Sequence, residues 1–304
     1  GSVVIERSRI TGNGAAGIEV AAGASVVITD TTVADNQSSG IQNSGIVQLS
    51  QSTLSGNQDS GLINAATGDA TITNVTISGN VGQSSGGGIQ NAGKIDMQYS
   101  TITDNTVAPE FEYGQPTVRP IMVGGVDNAA GGAFELGSSI IAENRGVLVN
   151  DITGDFVSSG GNLIGENVNS TGFTDAVVDD LVGTTEAPID PRLAPLSDNG
   201  GYTLSHRPNA DSPALDSGNY LDDRRLDGRG IVGNGFTGGI ARFVDDSRTP
   251  ETITLPGVVS KPMSVYTADL DGDGDLDVIS ANDDNSGGIV WYKTESTVPM
   301  SFGA

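Results

Sequence analysis

The densest group of residues able to do chemistry is a run of alternating aspartates near the end of the chain. Between strand-like stretches at 264–268 and 278–280, residues 269–277 read Asp-Leu-Asp-Gly-Asp-Gly-Asp-Leu-Asp. Five carboxylates this close together would repel one another unless a cation neutralised them. Hard oxygen ligands in this number favour Ca²⁺ as a structural cofactor. The predicted metal ligands are Asp269, Asp271, Asp273, Asp275 and Asp277.

The acidic loop resembles the FG-GAP or VCBS repeat, in which strand, calcium loop and strand form a unit of a β-propeller blade. The resemblance lies in the D-x-D-G-D-G-x-x-D pattern of residues 269–277. An EF-hand is excluded because Ser280 stands where its twelfth-position glutamate would be. The resemblance implies a small C-terminal β element over residues 251–304. It would be incomplete, because a single blade element cannot bury both faces of its sheet.

Carboxylate pairs that could cleave a glycosidic bond are scarce. Asp35 and Asp104 would lie three turns of a stacked repeat apart, roughly 14 Å, beyond the about 5–9.5 Å that separates glycosidase carboxylates. Asp104 and Glu143 are the best available pair, and the one histidine, His206, lies in a turn-like segment. We therefore expect a protein that is not an enzyme. The alternative is a carbohydrate-active polysaccharide lyase or glycoside hydrolase.

The element that must position these groups is a row of imperfect repeats between residues 3 and 144. A phrase ending in asparagine returns at steps of 23, 21, 23, 25 and 39 residues. Repeats this short, with alternating apolar residues as in 26–29, cannot bury a face alone and must stack. A leucine-rich repeat has a similar period, but its dense leucine consensus is missing. The prediction is an all-β chain whose core is a right-handed parallel β-helix, or solenoid.

The recurring asparagine is expected at one corner of each turn. It tolerates the left-handed conformation, and its amide can bond buried backbone groups and the asparagine of the next turn. We expect a structural ladder in preference to a row of ligand-binding groups. The ladder residues are Asn13, Asn36, Asn57, Asn80, Asn105 and Asn144.

A longer loop interrupts one corner at residues 106–120. Three prolines stiffen it, and its aromatic residues alternate with glutamates at Glu110, Phe111, Glu112 and Tyr113. Long loops on a rigid scaffold often carry recognition. This is the candidate ligand or partner loop, and Phe111 and Tyr113 would be the stacking platforms of a carbohydrate-binding module. The competing interpretation is a flap that covers the side of the coil.

From residue 160 the chain resembles the choice-of-anchor Q region of exported bacterial surface proteins. The resemblance is carried by Gly-Gly-Asn-Leu-Ile-Gly at 160–165, by residues 190–203, and by Asp-Ser-Pro-Ala-Leu-Asp-Ser-Gly-Asn at 211–219. It implies a β-helix terminus in a bacterial cell-surface or secreted protein. Prolines between 186 and 220 independently predict an irregular capping or covering segment. The expected domains are 1–159 for the coils, 160–250 for the terminus and 251–304 for the calcium element.

Composition limits the partners. The 304 residues carry a net charge of -24, so nucleic acid and anionic membranes are poor partners. No apolar run of about 18 residues predicts a membrane span, and no signal peptide is recognisable. The exposed first strand suggests a processed or excised piece of a longer chain. The function expected is a calcium-stabilised extracellular structural or adhesive module. It would associate end to end in a fibre, or with another surface or matrix protein, and carbohydrate is a further candidate ligand.

Overall fold

The computed structural model describes residues 1–107, 122–147, 149–168, 170–173 and 180–215, together with the backbone of a few further strands. The further strands lie at 111–112, 115–116, 240–243, 250–253, 262–268, 277–282 and 288–292. Two compact units are present, residues 1–219 and residues 220–304. The described residues contain strands and turns and no helix.

The first unit repeats one motif, in which each coil (one turn of the solenoid) has three main strands. The first three coils contain β1 (Ser2–Glu6), β2 (Arg9–Thr11), β3 (Ile18–Val20), β4 (Ser25–Thr29), β5 (Thr32–Ala34), β6 (Ile41–Asn43), β7 (Ile46–Ser50), β8 (Thr53–Ser55) and β9 (Leu62–Asn64). The next two contain β10 (Asp69–Thr73), β11 (Thr76–Ser78), β12 (Val81–Gly82), β13 (Ile89–Asn91), β14 (Lys94–Gln98), β15 (Thr101–Thr103), β16 (Thr106–Val107), β17 (Phe111–Glu112), β18 (Gln115–Pro116) and β19 (Val126–Asn128). The last coils contain β20 (Ala133–Gly137), β21 (Ile140–Ile141), β22 (Ile152–Thr153), β23 (Val157–Gly160), β24 (Leu163–Ile164) and β25 (Leu181–Val182).

Three long parallel sheets result from stacking these coils. Sheet A has the order β1-β4-β7-β10-β14-β20-β23, sheet B the order β2-β5-β8-β11-β15-β21-β24-β25, and sheet C the order β22-β19-β13-β9-β6-β3. Each strand pairs with the corresponding strand of the next coil, without exchange of order. The predicted parallel β-helix is therefore confirmed.

The core consists of apolar side chains stacked in rows, one per coil. In sheet B the register places one inward residue of each strand directly over the next. That row contains Ile10, Val33, Leu54, Ile77, Ile102, Ile141 and Ile164. From Val33 onward every member is 0% exposed. A coil removed from the stack would expose its part of every row, so burial depends on the neighbouring coils.

The corner after sheet B is made by the residue that precedes each ladder asparagine. These residues are left-handed, with φ from 55° to 69°, and they are Gly12, Asp35, Gly56, Gly79, Asp104 and Glu143. The expectation that the asparagine itself is left-handed is wrong, since none of the six has positive φ. The physical reason is a division of roles. The solvent-facing residue makes the turn, which leaves the asparagine side chain free to point inward.

The coil continues beyond residue 159, because β24 and β25 extend sheet B as far as Val182. The interior changes character there. Phe134 packs edge to face on Phe156 with ring centroids 5.3 Å apart, and Phe156 packs on Phe173 at 5.6 Å. These aromatic rings close the described C-terminal end of the core.

Residues 192–209 form an antiparallel hairpin, here called the strap. Ala194 N–H donates to Arg207 O at 2.8 Å, and Asn209 N–H donates to Arg192 O at 3.0 Å. The strap lies against the outer face of sheet B, where the Thr53 hydroxyl donates to Leu204 O at 2.6 Å. The irregular segment predicted from the prolines therefore covers the side of the coil.

The second unit is described by its backbone pairing alone. β26 (Ile240–Phe243) pairs antiparallel with β27 (Pro250–Ile253). β28 (Pro262–Ala268), β29 (Asp277–Asn282) and β30 (Gly288–Tyr292) form an antiparallel sheet in chain order. The two strands that flank the acidic stretch thus pair with each other.

A glycine row beside the ladder offers a test of coil spacing. A Cβ on Gly61 would lie 2.6 Å from Ile77 Cγ2 and 2.9 Å from Gly88 O of the next coil. We expect Gly61→Ala to lower the free energy of unfolding by about 1–3 kcal/mol through overpacking. Gly14→Ala is the control, because its Cβ would meet nothing within 4 Å. Chemical denaturation measures both, and equal stability of the two variants would contradict the tight coil spacing.

Candidate functional site

The six ladder asparagines form one continuous row of hydrogen bonds along the solenoid. Each asparagine donates its Nδ2 to the Oδ1 of the next at 2.8–2.9 Å, and its backbone N–H to the same oxygen at 3.1 Å. From Asn36 onward the Nδ2 also donates to a carbonyl of the preceding coil, as Asn80 does to Leu54 O at 3.0 Å. The interior amides have both donors and the acceptor in use. They have no capacity left for a ligand.

The row ends on a carboxylate. Asn144 donates from its backbone N–H and its Nδ2 to Asp151 Oδ1, at 3.0 and 2.9 Å. Asp151 is 3% exposed, and its carboxylate oxygen accepts the two hydrogen bonds that the next asparagine oxygen would accept. Its carboxylate accepts hydrogen bonds as an asparagine oxygen would, but it has no side-chain N–H that could donate to a further residue. Asp151 therefore closes the row, and its charge faces the positive ends of the aligned amide dipoles.

A second asparagine row runs beside sheet C. Asn43, Asn64, Asn91 and Asn128 donate Nδ2 to Oδ1 in sequence at 2.8 Å each, and the last donates to Asp155 O at 2.6 Å. This row uses a backbone carbonyl as its final acceptor.

A third row, made mostly of hydroxyls, follows the corner between sheets A and B. Its backbone N–H donors bond side-chain oxygens of the next coil, as Ser100 N–H does to Ser139 Oγ at 3.1 Å. Asn162 then donates its N–H and Nδ2 to Asp180 Oδ1, both at 2.9 Å. Asp180 closes this row as Asp151 closes the first.

An acidic pocket opens beside Asp151. It has a volume of about 280 Å³, and four of its lining residues are acidic: Glu143, Asp151, Glu166 and Asp190. Glu166 is 7% exposed and accepts a short hydrogen bond from Asn150 Nδ2. The wall opposite the coil comes from residues 188–190, which lead into the strap.

The pKa values of two carboxyl groups that line the pocket are raised. Burial raises the pKa of Asp151 to about 6 and the Glu166 carboxylate adds to this, against hydrogen bonds from Asn144 and from Glu166 N–H. Burial also raises the pKa of Glu143. The carboxylates of Asp190 and Asp104 raise it further, and Arg145 opposes them. One lining carboxyl is therefore suited to hold a proton near neutral pH, as a general acid must.

Asp104 and Glu143 occupy equivalent left-handed corners of adjacent coils, with φ of 58° and 59°. Sequence reasoning placed this pair but missed Asp151, Glu166 and Asp190. Asp151 follows Asn144 within the same coil, so the spacing from coil to coil did not indicate it. Glu166 stands two residues after β24, as Glu143 stands two residues after β21, so the repeat register could have indicated it. Asp190 comes from a segment without the repeat, and its approach to Glu143 has no periodic signal.

The single histidine has a structural setting. His206 is 9% exposed, and its Nε2 lies 2.8 Å from Ser78 Oγ, while its Nδ1 lies 2.8 Å from Ala194 O. A carbonyl can only accept, so Nδ1 carries a proton, and in the neutral ring Nε2 accepts from the serine hydroxyl. His206 thereby ties the strap to β11.

The residues predicted to bind calcium lie outside the described side chains. Asp269, Asp271, Asp273 and Asp275 are not described, and of Asp277 only the backbone is, at the start of β29. The same holds for the partner loop, since Glu110 and Tyr113 are not described and Phe111 and Glu112 are described as strand backbone. Within the side chains that are described, no three acidic or histidine groups are placed to hold a metal ion.

Stacked parallel coils with buried side-chain ladders define a β-solenoid. The model of the right handed beta helix region matches residues 1–169 of this chain, more than half of its length. The chain belongs to the right-handed β-helix family. Searches of curated proteins and of solved structures found no match. The described residues include no helix that is long and apolar enough to span a membrane.

Asp151 generates a prediction about pH. Its folded-state pKa of about 6 lies above the ordinary 3.8, so the folded chain binds this proton more tightly than the unfolded chain does. Its ionisation therefore costs stability above pH 6, by about 3 kcal/mol at most. That cost disappears as the pH falls toward 3.8. We expect Asp151→Asn to raise the free energy of unfolding at pH 7.5 and to change it little at pH 4.

The measurement is urea denaturation of both proteins across that pH range. Asp69→Asn serves as the control, because Asp69 forms an exposed ion pair with Lys94 at 3.5 Å and should change stability by about 0–1 kcal/mol. Between pH 4 and pH 7.5 the free energy of unfolding should fall less for Asp151→Asn than for the original chain. An equal fall in both proteins would contradict the assignment.

Proposed function

We propose that the chain is a non-catalytic, calcium-stabilised β-solenoid module of an extracellular or cell-surface protein. It serves as a stiff spacer, an adhesive stalk or a fibre subunit. The role requires a molecule that resists bending and stretching and has few flexible connections along its axis. Nucleic acid and membrane insertion have no place in it, given the net charge of -24.

The observation that carries this proposal is axial continuity. The first ladder runs from Asn13 through six coils to Asp151 without a missing hydrogen bond. Sheets A and B contain seven and eight strands in unbroken coil order. Bending such a stack would lengthen many inter-coil hydrogen bonds at once, which supports a stiff rod.

The finer parts of the proposal concern the C-terminal half. We assign residues 160–250 to a choice-of-anchor Q-type terminus and residues 251–304 to an FG-GAP or VCBS-type element that binds Ca²⁺ through Asp269–Asp277 carboxylates. The antiparallel pairing of β28 with β29 around the acidic stretch supports the strand–loop–strand unit. Five aspartates in this loop favour a cation over an uncompensated cluster.

A second candidate function is carbohydrate cleavage, favoured by the acidic pocket. Glu143, Asp151, Glu166 and Asp190 line one cavity, and burial raises the pKa of Asp151 to about 6. A glycosidase needs one protonated and one ionised carboxyl group. Against this candidate, Asp151 Oδ1 is occupied by two hydrogen bonds from Asn144, and its side chain is 3% exposed. A carboxyl group held in this way is poorly placed to meet a sugar, so the structural role is preferred.

Calcium removal tests the first candidate. We expect chelation to make residues 251–304 sensitive to protease while residues 1–215 survive as a fragment, because the metal offsets repulsion only in the acidic loop. Mass spectrometry of a limited digest identifies the fragments. The double variant Asp271→Ala/Asp273→Ala should lose calcium affinity and become sensitive even with calcium. If that variant retained calcium affinity at this loop, the metal assignment would be wrong.

The same calcium series tests association. We propose contacts between the ends of neighbouring copies, or with another surface protein, and the negative charge should oppose self-association at low ionic strength. Light scattering should therefore show longer assemblies as calcium or salt rises. Asp151 is 3% exposed and the coils continue past it to Val182, so the first ladder cannot extend into a following copy. Such a contact must use strand edges, and particles that stay monomeric at high protein and calcium concentration would exclude the fibre role.

Activity assays separate the two candidates. We expect no release of reducing ends or unsaturated products from pectin, xylan or alginate. The matched variants are Glu143→Gln, within the pocket, and Asp35→Asn, at the equivalent corner four coils away. Degradation that Glu143→Gln abolishes and Asp35→Asn leaves intact would replace the structural role with an enzymatic one.

A further inference from the structure

The tip of the strap contains an asparagine followed by a glycine, at Asn199 and Gly200. In such a pair the backbone nitrogen of the glycine can attack the side-chain amide carbon of the asparagine, because glycine has no Cβ to hinder the approach. A Cβ placed on Gly200 would meet nothing within 4 Å, so the space around this nitrogen is open. Gly200 also has a φ of 95°, which a residue with a side chain rarely adopts.

A carboxylate lies beside the attacking nitrogen. Gly200 N–H donates to Asp198 Oδ1 at 2.8 Å, within the distance over which a general base takes up a proton. Ser197 Oγ donates a long hydrogen bond of 3.4 Å to Asn199 Oδ1, which draws electron density away from the carbon to be attacked. Asp198 and Gly200 are exposed, so water has access to the reacting group. Four consecutive residues thus supply a nucleophile, a base and an activated amide.

The amide that would react also holds the strap hairpin closed. Asn199 Nδ2 donates to Ser205 O at 2.7 Å and to Ser205 Oγ at 3.2 Å. Beside it, Ser197 and Ser205 exchange backbone hydrogen bonds at 3.1 and 3.0 Å. A carboxylate at position 199 could accept hydrogen bonds but not donate them, and it would face the Ser205 carbonyl oxygen. Loss of the amide nitrogen would therefore replace an attraction across the hairpin with a repulsion.

Contacts next to this tip fasten the strap to the early coils. The Tyr202 ring lies 5.0 Å from the Arg7 guanidinium carbon, and Thr203 Oγ1 donates to Gln51 O at 3.2 Å. The apolar core cluster of the described residues contains no residue of the strap. The strap is thus fastened by polar groups whose net contributions are individually small, so a change at its tip can detach it.

We propose that Asn199 and Gly200 form a self-modifying site, at which loss of ammonia from Asn199 loosens the strap from the coils. Gly200 N bonds to Asn199 Cγ while its proton passes to Asp198. The bond between Cγ and Nδ2 then breaks, and Nδ2 takes up that proton and leaves as ammonia. Water, the one co-reactant, opens the resulting five-membered imide to give aspartate or isoaspartate. The inference does not depend on the stalk role.

The chain provides an internal control in Asn13 and Gly14, the same dipeptide at the start of the first ladder. A Cβ on Gly14, as on the strap glycine, would meet nothing within 4 Å. Asn13 donates its backbone N–H and its Nδ2 to Asn36 Oδ1, at 3.1 and 2.8 Å. The residue before it is Gly12, which has no side chain to act as the base that Asp198 provides. The two sites therefore share the reacting pair and differ in the base.

Peptide mapping of the full chain by mass spectrometry, during incubation at pH 7.5, measures conversion at each asparagine. We expect Asn199 to convert roughly 100-fold faster than Asn13, the low end of the effect of a positioned general base. Asp198→Asn keeps the turn, because an amide oxygen also accepts the Gly200 N–H, and it should remove most of that difference. Equal rates at the two asparagines, or an unchanged rate at Asn199 in the Asp198→Asn variant, would overturn the proposal.

Hydrogen exchange on the full chain measures the release of the strap. Asn199→Asp reproduces the aspartate product, and the Ser205 amide should then exchange at least about fivefold faster, the net value of one hydrogen bond. The Leu54 amide in the coil should be unaffected. Asn209→Asp is the control, because it adds the same charge at the base of the strap, where the Asn209 backbone N–H bonds Arg192 O. Unchanged Ser205 exchange in Asn199→Asp, or equal acceleration in both variants, would overturn the proposal.

Discussion

Hydrogen bonds directed along the axis hold this molecule together, because a single coil cannot satisfy its own backbone or bury its own apolar residues. Each strand bonds the next coil, and at the corners, where strand pairing stops, asparagine amides continue the same direction. Asn57 illustrates this, since it accepts from Asn36 and donates to both Asn80 and Val33 O. Beside the ladder, Ile77 Cγ2, Gly88 O and Asn80 Nδ2 of the next coil leave no room for a Cβ at Gly61. Ladder, corner and glycine are consequences of one stacking distance.

The coil was predictable from sequence because its rules are periodic. Apolar alternation indicated strands, the asparagine spacing indicated the number of coils, and both agree with the sheets that form. The backbone detail was less accessible. Left-handed φ could be assigned to asparagine from its known tolerance, yet Asp35, Asp104 and Glu143 adopt it instead. Asparagine is retained for its amide, a distinction that pattern alone does not carry.

The acidic pocket and the individual contacts of the strap were not predictable, for a common reason. Asp151 and Asp180 end their rows once each, so neither has a repeat to reveal it. Asp190 approaches Glu143 from a non-repeating segment, and His206 meets Ser78 across 128 residues. Such contacts depend on where the strap lies, and the prolines specify only that it is irregular. The acidic groups at the end of the solenoid are brought together by tertiary contacts, which the spacing of residues in the sequence does not indicate.

The strap has a further consequence for how this solenoid holds together. A repeat stack behaves like a one-dimensional chain in which each unit senses only its neighbours, so end units can fray independently. Here residues 202–206 touch Arg7 of the first coil, Gln51 and Thr53 of the third and Ser78 of the fourth. Just before the strap, Ile189 N–H donates to Gly165 O at 2.9 Å, near the other end of the coils. The strap acts as a longitudinal tie between distant units, so the early coils gain cooperativity that nearest-neighbour stacking does not supply.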